Sequence, residues 1–336
     1  MKKIIPLFII LLAAHLGQAQ QHSIFSNPIY AELSNNPSFI GMEPDAQLFG
    51  TFRQQWTGLT NPPEHNFLHF SFRLKKTVTD TIRKGGVPVS QNKLYADLYE
   101  TKERISFTPH GIGLALQTDK NGPFEKNSLH LNYAYHRKLG SSFFVALGIG
   151  LGVGQMQIRS GGLWVLDDGD KTYEEYKNDL SSDVFLDGKM GITLYNSNFF
   201  LSYSTNQLMG NEPFSEVSEE LDFLLQNQHT IGLSYILRPI DIFEIAPVLQ
   251  ITKVSAAPTH ISLGVKARYK KRISLGLVHR VHAANSVQMG LQLAKKWILQ
   301  YGYEWSGNET KTFASTTHEI GFGYRLKNTK EIKHQW

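Results

Sequence analysis

Phe143-Phe-Val-Ala-Leu-Gly-Ile-Gly-Leu-Gly-Val153 is the stretch on which the fold turns. Val145, Leu147, Ile149, Leu151 and Val153 are bulky and apolar, while Ala146, Gly148, Gly150 and Gly152 between them are small. Successive side chains on a strand point to opposite faces, so this segment has one greasy face and one nearly bare face. Wound as a helix, the same residues would scatter their glycines round the cylinder and leave no apolar stripe. The run also has the length of a tilted strand that crosses hydrocarbon, about 9–11 residues.

The alternation recurs on both sides of it. Leu129, Leu131, Tyr133 and Tyr135 alternate with Ser128, His130, Asn132 and His136. Ile261, Leu263, Val265, Ala267 and Tyr269 alternate with His260, Ser262, Lys266 and Arg268. Val287, Met289, Leu291 and Leu293 alternate with Gln288, Gly290 and Gln292; Trp297, Leu299, Tyr301, Tyr303 and Trp305 alternate with Gln300, Gly302 and Glu304. A soluble sandwich alternates too. Two details separate the cases. Trp297 and Trp305 end one strand as girdle residues do at the two membrane interfaces, and charged inner-face residues suit a wet lumen better than a dry core. The pattern predicts an all-β protein, a transmembrane antiparallel β-barrel of about 14 strands, an even number within the range of such barrels. Strands are expected at 45–56, 65–76, 109–119, 128–138, 142–158, 184–196, 198–206, 228–238, 242–254, 259–269, 272–281, 285–294, 296–306 and 315–327.

Connection length gives an independent reading, because membrane barrels have short periplasmic turns and longer outer loops. With the first strand running outward, the inner turns fall at Leu139-Gly140, Ser197, Pro239-Ile240, Lys270-Lys271 and Lys295, all tight. The connections 159–183 and 207–227 fall outside and are long. One stretch breaks the rule: 77–108 is long and polar, carries Gly85-Gly86 and Pro88, and falls on the inner side. A periplasmic insertion, a lumen plug and an unrecognised hairpin all fit it.

Charge follows the same parity. Arg137, Lys138, Arg238, Lys270, Lys271, Arg272, Lys295, Lys296, Lys327, Lys330 and Lys333 gather at inner turns and the C-terminus. Asp167, Asp168, Asp170, Glu174, Glu175 and Asp179 gather in one outer connection, and Glu212, Glu216, Glu219, Glu220 and Asp222 in the next. Solvation alone accounts for such charge. The sharper reading is a basic periplasmic rim that meets an acidic partner or anionic head groups. For an exported barrel, nucleic acid is not the expected partner, despite a net charge of +5.

The chain opens Met1-Lys2-Lys3, runs apolar from Ile4 to Ala14, and reads Gly17-Gln18-Ala19-Gln20. A basic start, a short greasy core and a small-x-small site form a secretory signal. The apolar run is shorter than the roughly 20 residues of a membrane helix, and Pro6 interrupts it. The expected organisation is a signal peptide over 1–19, an N-terminal periplasmic or plug segment over 20–44, the outer-membrane barrel over 45–327 and a periplasmic tail over 328–336. The chain has no cysteine, which removes lipid attachment at the cleavage site, disulfides, thiolate metal sites and cysteine nucleophiles.

No arrangement of catalytic residues stands out. His260-Ile261-Ser262 has the spacing of a histidine and serine on one strand face, and so does His69-Phe70-Ser71, but neither has an orienting acid or an oxyanion site nearby in sequence. Asp167-Asp168-Gly169-Asp170 clusters carboxylates without the spaced ligands and terminal glutamate of a calcium loop. The glycines at 148, 150 and 152 are strand alternation, with no helix behind them to hold a phosphate. The expectation is a non-enzyme with no cofactor and no metal.

Four motifs in order resemble the PorP/SprF-type membrane proteins of the type IX secretion system, over nearly the whole mature chain. Gln21-His22-Ser23-Ile24-Phe25-Ser26-Asn27-Pro28-Ile29-Tyr30 and Asn36-Pro37-Ser38-Phe39-Ile40-Gly41 are similar to that family's opening, with its Asn-Pro pairs. Phe52-Arg53-Gln54-Gln55-Trp56, followed by Pro62-Pro63, resembles its strand and proline turn. Gly111-Ile112-Gly113-Leu114, Asp119 and Leu131-Asn132-Tyr133-Ala134-Tyr135-His136 resemble a hairpin, and Thr317-His318-Glu319-Ile320 the closing strand. The resemblance implies an outer-membrane protein of a Bacteroidetes-type bacterium. It would help export or surface anchoring of secreted adhesin-like proteins in gliding-type machinery, beside periplasmic ring or peptidoglycan-binding components. The rival readings are a channel or transporter for small molecules and an outer-membrane hydrolase. Of the motif residues, Trp56 is most simply a girdle residue, and Arg53 and Glu319 are expected to pair inside the lumen, where closure sets the first and last strands side by side. A structural role is favoured over partner binding for the set.

Overall fold

The computed structural model describes residues 25–42, 46–59, 61–83, 99–158, 182–209, 227–254, 257–294, 296–307 and 316–326. The alternating segments form β1 (Gln47–Thr57), β2 (Glu64–Arg83), β3 (Tyr99–Asn121), β4 (Phe124–Leu139), β5 (Phe143–Ile158), β6 (Ser182–Tyr195), β7 (Phe199–Asn206) and β8 (Gln228–Tyr235). They continue as β9 (Leu237–Ile240), β10 (Phe243–Val254), β11 (His260–Tyr269), β12 (Ile273–Arg280), β13 (Ala284–Leu293), β14 (Trp297–Ser306) and β15 (Thr316–Arg325). Each strand pairs with its neighbours in the chain, and β15 pairs back onto β1 from Gln47↔Arg325 to Gln54↔His318, closing the wall.

β8 and β9 both lie on β10 and are two halves of one barrel strand, so the wall has the fourteen strands the alternation predicts. The break falls at Ile236. One step before it, Pro247 on β10 faces Tyr235 at the end of β8 and has no N–H to give to a ladder.

The stretch 77–108 proves to be in part a hairpin. β2 and β3 run on past the length a membrane needs, paired from Lys75↔Phe107 to Arg83↔Tyr99, and the tip at 84–98 lies outside the described residues. Beyond the membrane no hydrocarbon imposes a greasy side, and Thr77-Val78-Thr79-Asp80-Thr81 carries no apolar alternation to read.

Within the barrel the two faces separate as expected. Leu131 on β4 is 61% exposed and Ile149 on β5 49%, whereas His130, Asn132, Gly148 and Gly150 beside them are buried. The exposed belt of Leu, Ile, Tyr and Trp is the surface hydrocarbon requires.

The inner face departs from the wet lumen inferred from its charges. Most inner-face residues are buried, because the chain's own residues 25–42 lie inside the barrel. They form a helix, α1 (Pro28–Asn35), and a 3-10 turn (Pro37–Phe39). Each Asn-Pro pair starts one of them. Asn27 accepts a hydrogen bond from the Ile29 N–H at 3.1 Å, with Pro28 in the first turn. Asn36 closes α1 by giving its N–H to Glu32 O at 2.9 Å, then accepts from the Ser38 N–H at 3.1 Å to open the 3-10 turn behind Pro37. Asparagine at the cap and proline just inside is a favoured helix start, each cap being worth about 1 kcal/mol.

Candidate functional site in the barrel lumen

The N-terminal segment runs the length of the lumen. Phe25 and Ser26 lie toward the end with the long connections, beside His65 and Arg53. Phe39 and Met42 lie toward the short-turn end, packed with Ala146, Tyr195 and Phe200. On the way the segment is bonded to successive strands. Gln250 on β10 donates to Pro28 O at 3.2 Å, Ser202 on β7 to the Glu32 carboxylate at 2.9 Å, and Lys189 on β6 to Ser34 O at 3.2 Å. Ser38 and Thr193 share a hydroxyl contact of 2.6 Å, and His136 on β4 donates from Nε2 to Ile40 O at 2.7 Å. Inward polar groups of the wall thereby satisfy backbone carbonyls that irregular chain would otherwise bury unpaired.

At the start of the segment a charged cluster fastens it. Arg53 on β1 donates to Glu304 on β14 at 2.9 Å and to Glu319 on β15 at 3.3 Å. Arg280 on β12 reaches Glu304 at 3.2 Å and Phe25 O at 3.1 Å. Ser26 sits among them: its N–H donates to Glu319 at 2.8 Å, its hydroxyl bonds Arg53 and Glu304, and Gln288 donates to its carbonyl. Two arginines face two carboxylates, all four nearly inaccessible to solvent. Buried charge is tolerable only when balanced and hydrogen-bonded in this way.

Elsewhere the segment is seated on glycine. A Cβ at Gly148 would stand 2.2 Å from Ser38 N and 2.3 Å from Pro37 C; at Gly111 it would stand 2.4 Å from Ile40 O. At Gly191 it would meet Asn36 Oδ1 at 2.0 Å, and at Gly232 the Glu32 carboxylate at 2.1 Å. Only glycine lets plug backbone approach so closely at Gly148 and Gly111, and plug side chains at Gly191 and Gly232.

The motif residues divide three ways. Asn27, Pro28, Asn36, Pro37, Arg53 and Glu319 come together in the lumen, and the expected Arg53–Glu319 pair is present. Tyr133 and Tyr135 face outward with His318; Tyr133 bonds His110 at 2.7 Å, and His318 bonds Tyr301 at 2.7 Å. Trp56 and Pro62 stand at the long-connection end, Trp56 at a positive φ of 58° where the β1–β15 register shifts. The sequence reading did not single out Ser26, Glu32, Arg280, Glu304 or Lys189 as site residues. For Arg280, Glu304 and Lys189 the one signal was charge on the inward phase of a strand, and for Glu32 being the one charged residue between 25 and 42.

Among the described residues no hydrogen bond joins His260 to Ser262 or His69 to Ser71, and no group of three His, Asp or Glu gathers as for a metal. The clusters at 167–179 and 212–222 lie outside the described residues, as do Lys295, Lys327, Lys330 and Lys333.

A closed antiparallel wall, an apolar outer belt and a lumen filled by the chain's own leader define an outer-membrane β-barrel with an internal plug. The chain belongs to the family described as type IX secretion system membrane protein PorP/SprF, whose pattern matches residues 17–324. It is similar in fold to solved outer-membrane structures. The toluene transporter TbuX of Ralstonia pickettii is 10% identical, with 88% of this chain and 94% of that chain covered and a TM-score of 0.47. The toluene transporter TodX of Pseudomonas putida is 10% identical over 88% and 93%, with a TM-score of 0.47. The CymD monoaromatic hydrocarbon channel is 10% identical over 88% and 93%, with a TM-score of 0.50. At such identity the likeness is one of fold alone. No curated protein sequence matches the chain.

Proposed function

We propose that this protein serves type IX secretion as a plugged outer-membrane component that helps export secreted adhesin-like proteins or hold them at the surface, and that it is not an enzyme. Membership of the family supports the secretion role. The observation that carries the reading against a diffusion channel is the filled lumen. A channel keeps its inward polar groups for solute; here they are bonded to the protein's own residues 26–40.

In this reading the signal is cut after Ala19, the short-turn end faces the periplasm, and its basic residues meet a periplasmic or peptidoglycan-binding component. The Lys270-Lys271 turn supports a role for that charge. Both residues have positive φ, 48° and 56°, in a turn closed by the Arg272 N–H to Tyr269 O at 2.9 Å. Asn-Gly would take that geometry with little strain, whereas two lysines carry a cost. The motif residues act as plug and wall structure in this reading.

Single cysteines test it cleanly, since the chain has none of its own. A cysteine at Asp168 should react with an impermeant reagent on intact cells, and one at Lys271 only after the outer membrane is opened. Loss of the gene should leave a type IX adhesin off the surface, and the mature mass should begin at Gln20. Reversed labelling removes the orientation; unchanged adhesin display removes the secretion role; steady conductance in planar bilayers returns the channel.

A further inference from the structure

At the short-turn end the barrel holds an open cavity of about 100 Å³. Its floor is apolar. Ile29, Leu33, Phe39 and Met42 come from the plug, and Ile236 and Ile298 from the wall. Arg268, Lys271, Arg272 and Arg325 complete the lining; Arg268 and Arg325 are buried, and Lys271 and Arg272 stand exposed on the turn at the mouth. Arg268 is already committed to Glu244, but Lys271 and Arg272 have no carboxylate partner among the described residues. A mostly apolar cavity rimmed by cations is the usual make-up of a binding site.

We propose that this chamber binds an acidic protein segment, its aliphatic or aromatic side chains on the floor and its carboxylates at Lys271 and Arg272. Two observations select a protein segment over a lipid. The wall beside the chamber is closed: β10 to β15 and β1 are hydrogen-bonded edge to edge, and at the β8–β9 break the Ile236 N–H is held by Asn198 O at 2.6 Å, so no gap there admits an acyl chain from the bilayer. The mouth opens among the turns, on the aqueous side, where a soluble partner arrives. Because Ile29, Leu33, Phe39 and Met42 of the plug form one side of it, the site exists only while residues 29–42 are seated. The inference deepens the docking role given above to the short-turn end, and rests on that reading only for the compartment from which the partner comes.

The test is selection of short random peptides on the full-length protein in nanodiscs, where both ends are accessible, so the outcome does not depend on orientation. Peptides combining Asp or Glu with Leu, Ile or Phe should be enriched over empty nanodiscs. Their binding by fluorescence anisotropy should weaken about tenfold or more in Ile298→Asp, and likewise in Lys271→Glu/Arg272→Glu. Heat-modifiable gel mobility checks folding; should Ile298→Asp fail it, the rim variant lies on an exposed turn and keeps the test decisive. No enrichment overturns the proposal, and so does enrichment that both folded variants retain. Binding of dodecanoate, lost in Ile298→Asp, with no acidic peptide enriched, reassigns the chamber to a lipid. Peptide capture only by a chain ending at Leu326 assigns it instead to this protein's own tail.

Discussion

From β3 to β8 the wall meets the plug with glycines; from β12 round to β1 it meets the same plug with ion pairs. On the first side Gly111, Gly148, Gly191 and Gly232 let plug atoms come within what would be bonding range of a Cβ. On the second, Arg53, Arg280, Glu304 and Glu319 span a wider gap with long side chains. The two sides fail differently. A glycine seat has no compensating partner, so a side chain there must displace plug backbone at Gly111 and Gly148 and the Asn36 or Glu32 side chain at Gly191 and Gly232. An ion-pair latch can be changed in matched pairs, but a single deletion leaves a buried charge alone. The plug thus has a steric stop on one side and an electrostatic fastener on the other, and each can be broken without touching the other.

The largest effect belongs to the latch. Arg53→Ala leaves Glu304 with Arg280 alone and Glu319 with no cation in contact, a loss of about 3–5 kcal/mol for breaking a buried pair. The readout is a reporter cysteine, Ser34→Cys, on a buried position of α1. Its thiol labelling should speed up by orders of magnitude, at about 1.4 kcal/mol per factor of ten. Arg53→Met with Glu319→Gln, which removes charge from both partners, should recover part of the protection. Unchanged labelling in Arg53→Ala would mean that the glycine side alone retains the plug.

The next comparison uses two neighbours on β5 that point opposite ways. Ile149→Arg places a charge on the lipid face, at about 2–4 kcal/mol near mid-membrane, and should lower the yield of heat-modifiable barrel. Gly148→Val, toward the plug, should cost less, about 1–3 kcal/mol of overpacking, and should leave the barrel assembled while the Ser34→Cys reporter opens. Gly150→Ala sharpens the point. Its Cβ would meet Asn132 Oδ1 at 2.3 Å, the tip of a side chain that can swing away, so it should open the reporter less than Gly148→Val. Equal effects at Gly148 and Gly150 would show that small size, and not a backbone seat, is what this face requires.

These neighbours also show what a sequence displays and what it hides. Ile149 and Gly148 were assigned to the right faces by period alone, because hydrocarbon outside the wall imposes one strict alternation on every crossing strand. That constraint made all fourteen crossings legible. It says nothing of what fills the inside. A bare glycine face suits a water-filled bore and a packed backbone equally, so the inner charges read as wet. The Arg53–Glu319 pair was legible because closure sets the first and last strands together. Glu304 and Arg280 complete the same cluster from β14 and β12, and only the register brings them to it. The 77–83 arm of β2 escaped the pattern for the reverse reason: beyond the membrane nothing forces an alternation.

The smallest effects lie in the two Asn-Pro starts, and they tie the sides together. Asn27 caps α1 on the latch side and bonds Gln300 at 3.2 Å; Asn36 caps the 3-10 turn on the glycine side and bonds Glu32 at 3.1 Å. Alanine at either should cost about 1 kcal/mol, read as roughly fivefold faster labelling of the Ser34→Cys reporter. Asn36→Ala should cost more than Asn27→Ala, since Glu32 is buried with one carboxylate oxygen already unpartnered and would keep Ser202 alone on the other. The decisive form is a double-mutant cycle with Gly191. Gly191→Ala by itself drives a Cβ to 2.0 Å from Asn36 Oδ1, with Pro37 Cδ next at 3.3 Å. In the Asn36→Ala background the first obstacle is gone and the second asks for only a few tenths of an ångström. Gly191→Ala should therefore add little to Asn36→Ala, so the double variant labels more slowly than the two single effects combined would require. Strict additivity would mean that Gly191 is small for some reason other than the asparagine it faces, and the glycine side would then be a run of small residues with no seat at that point.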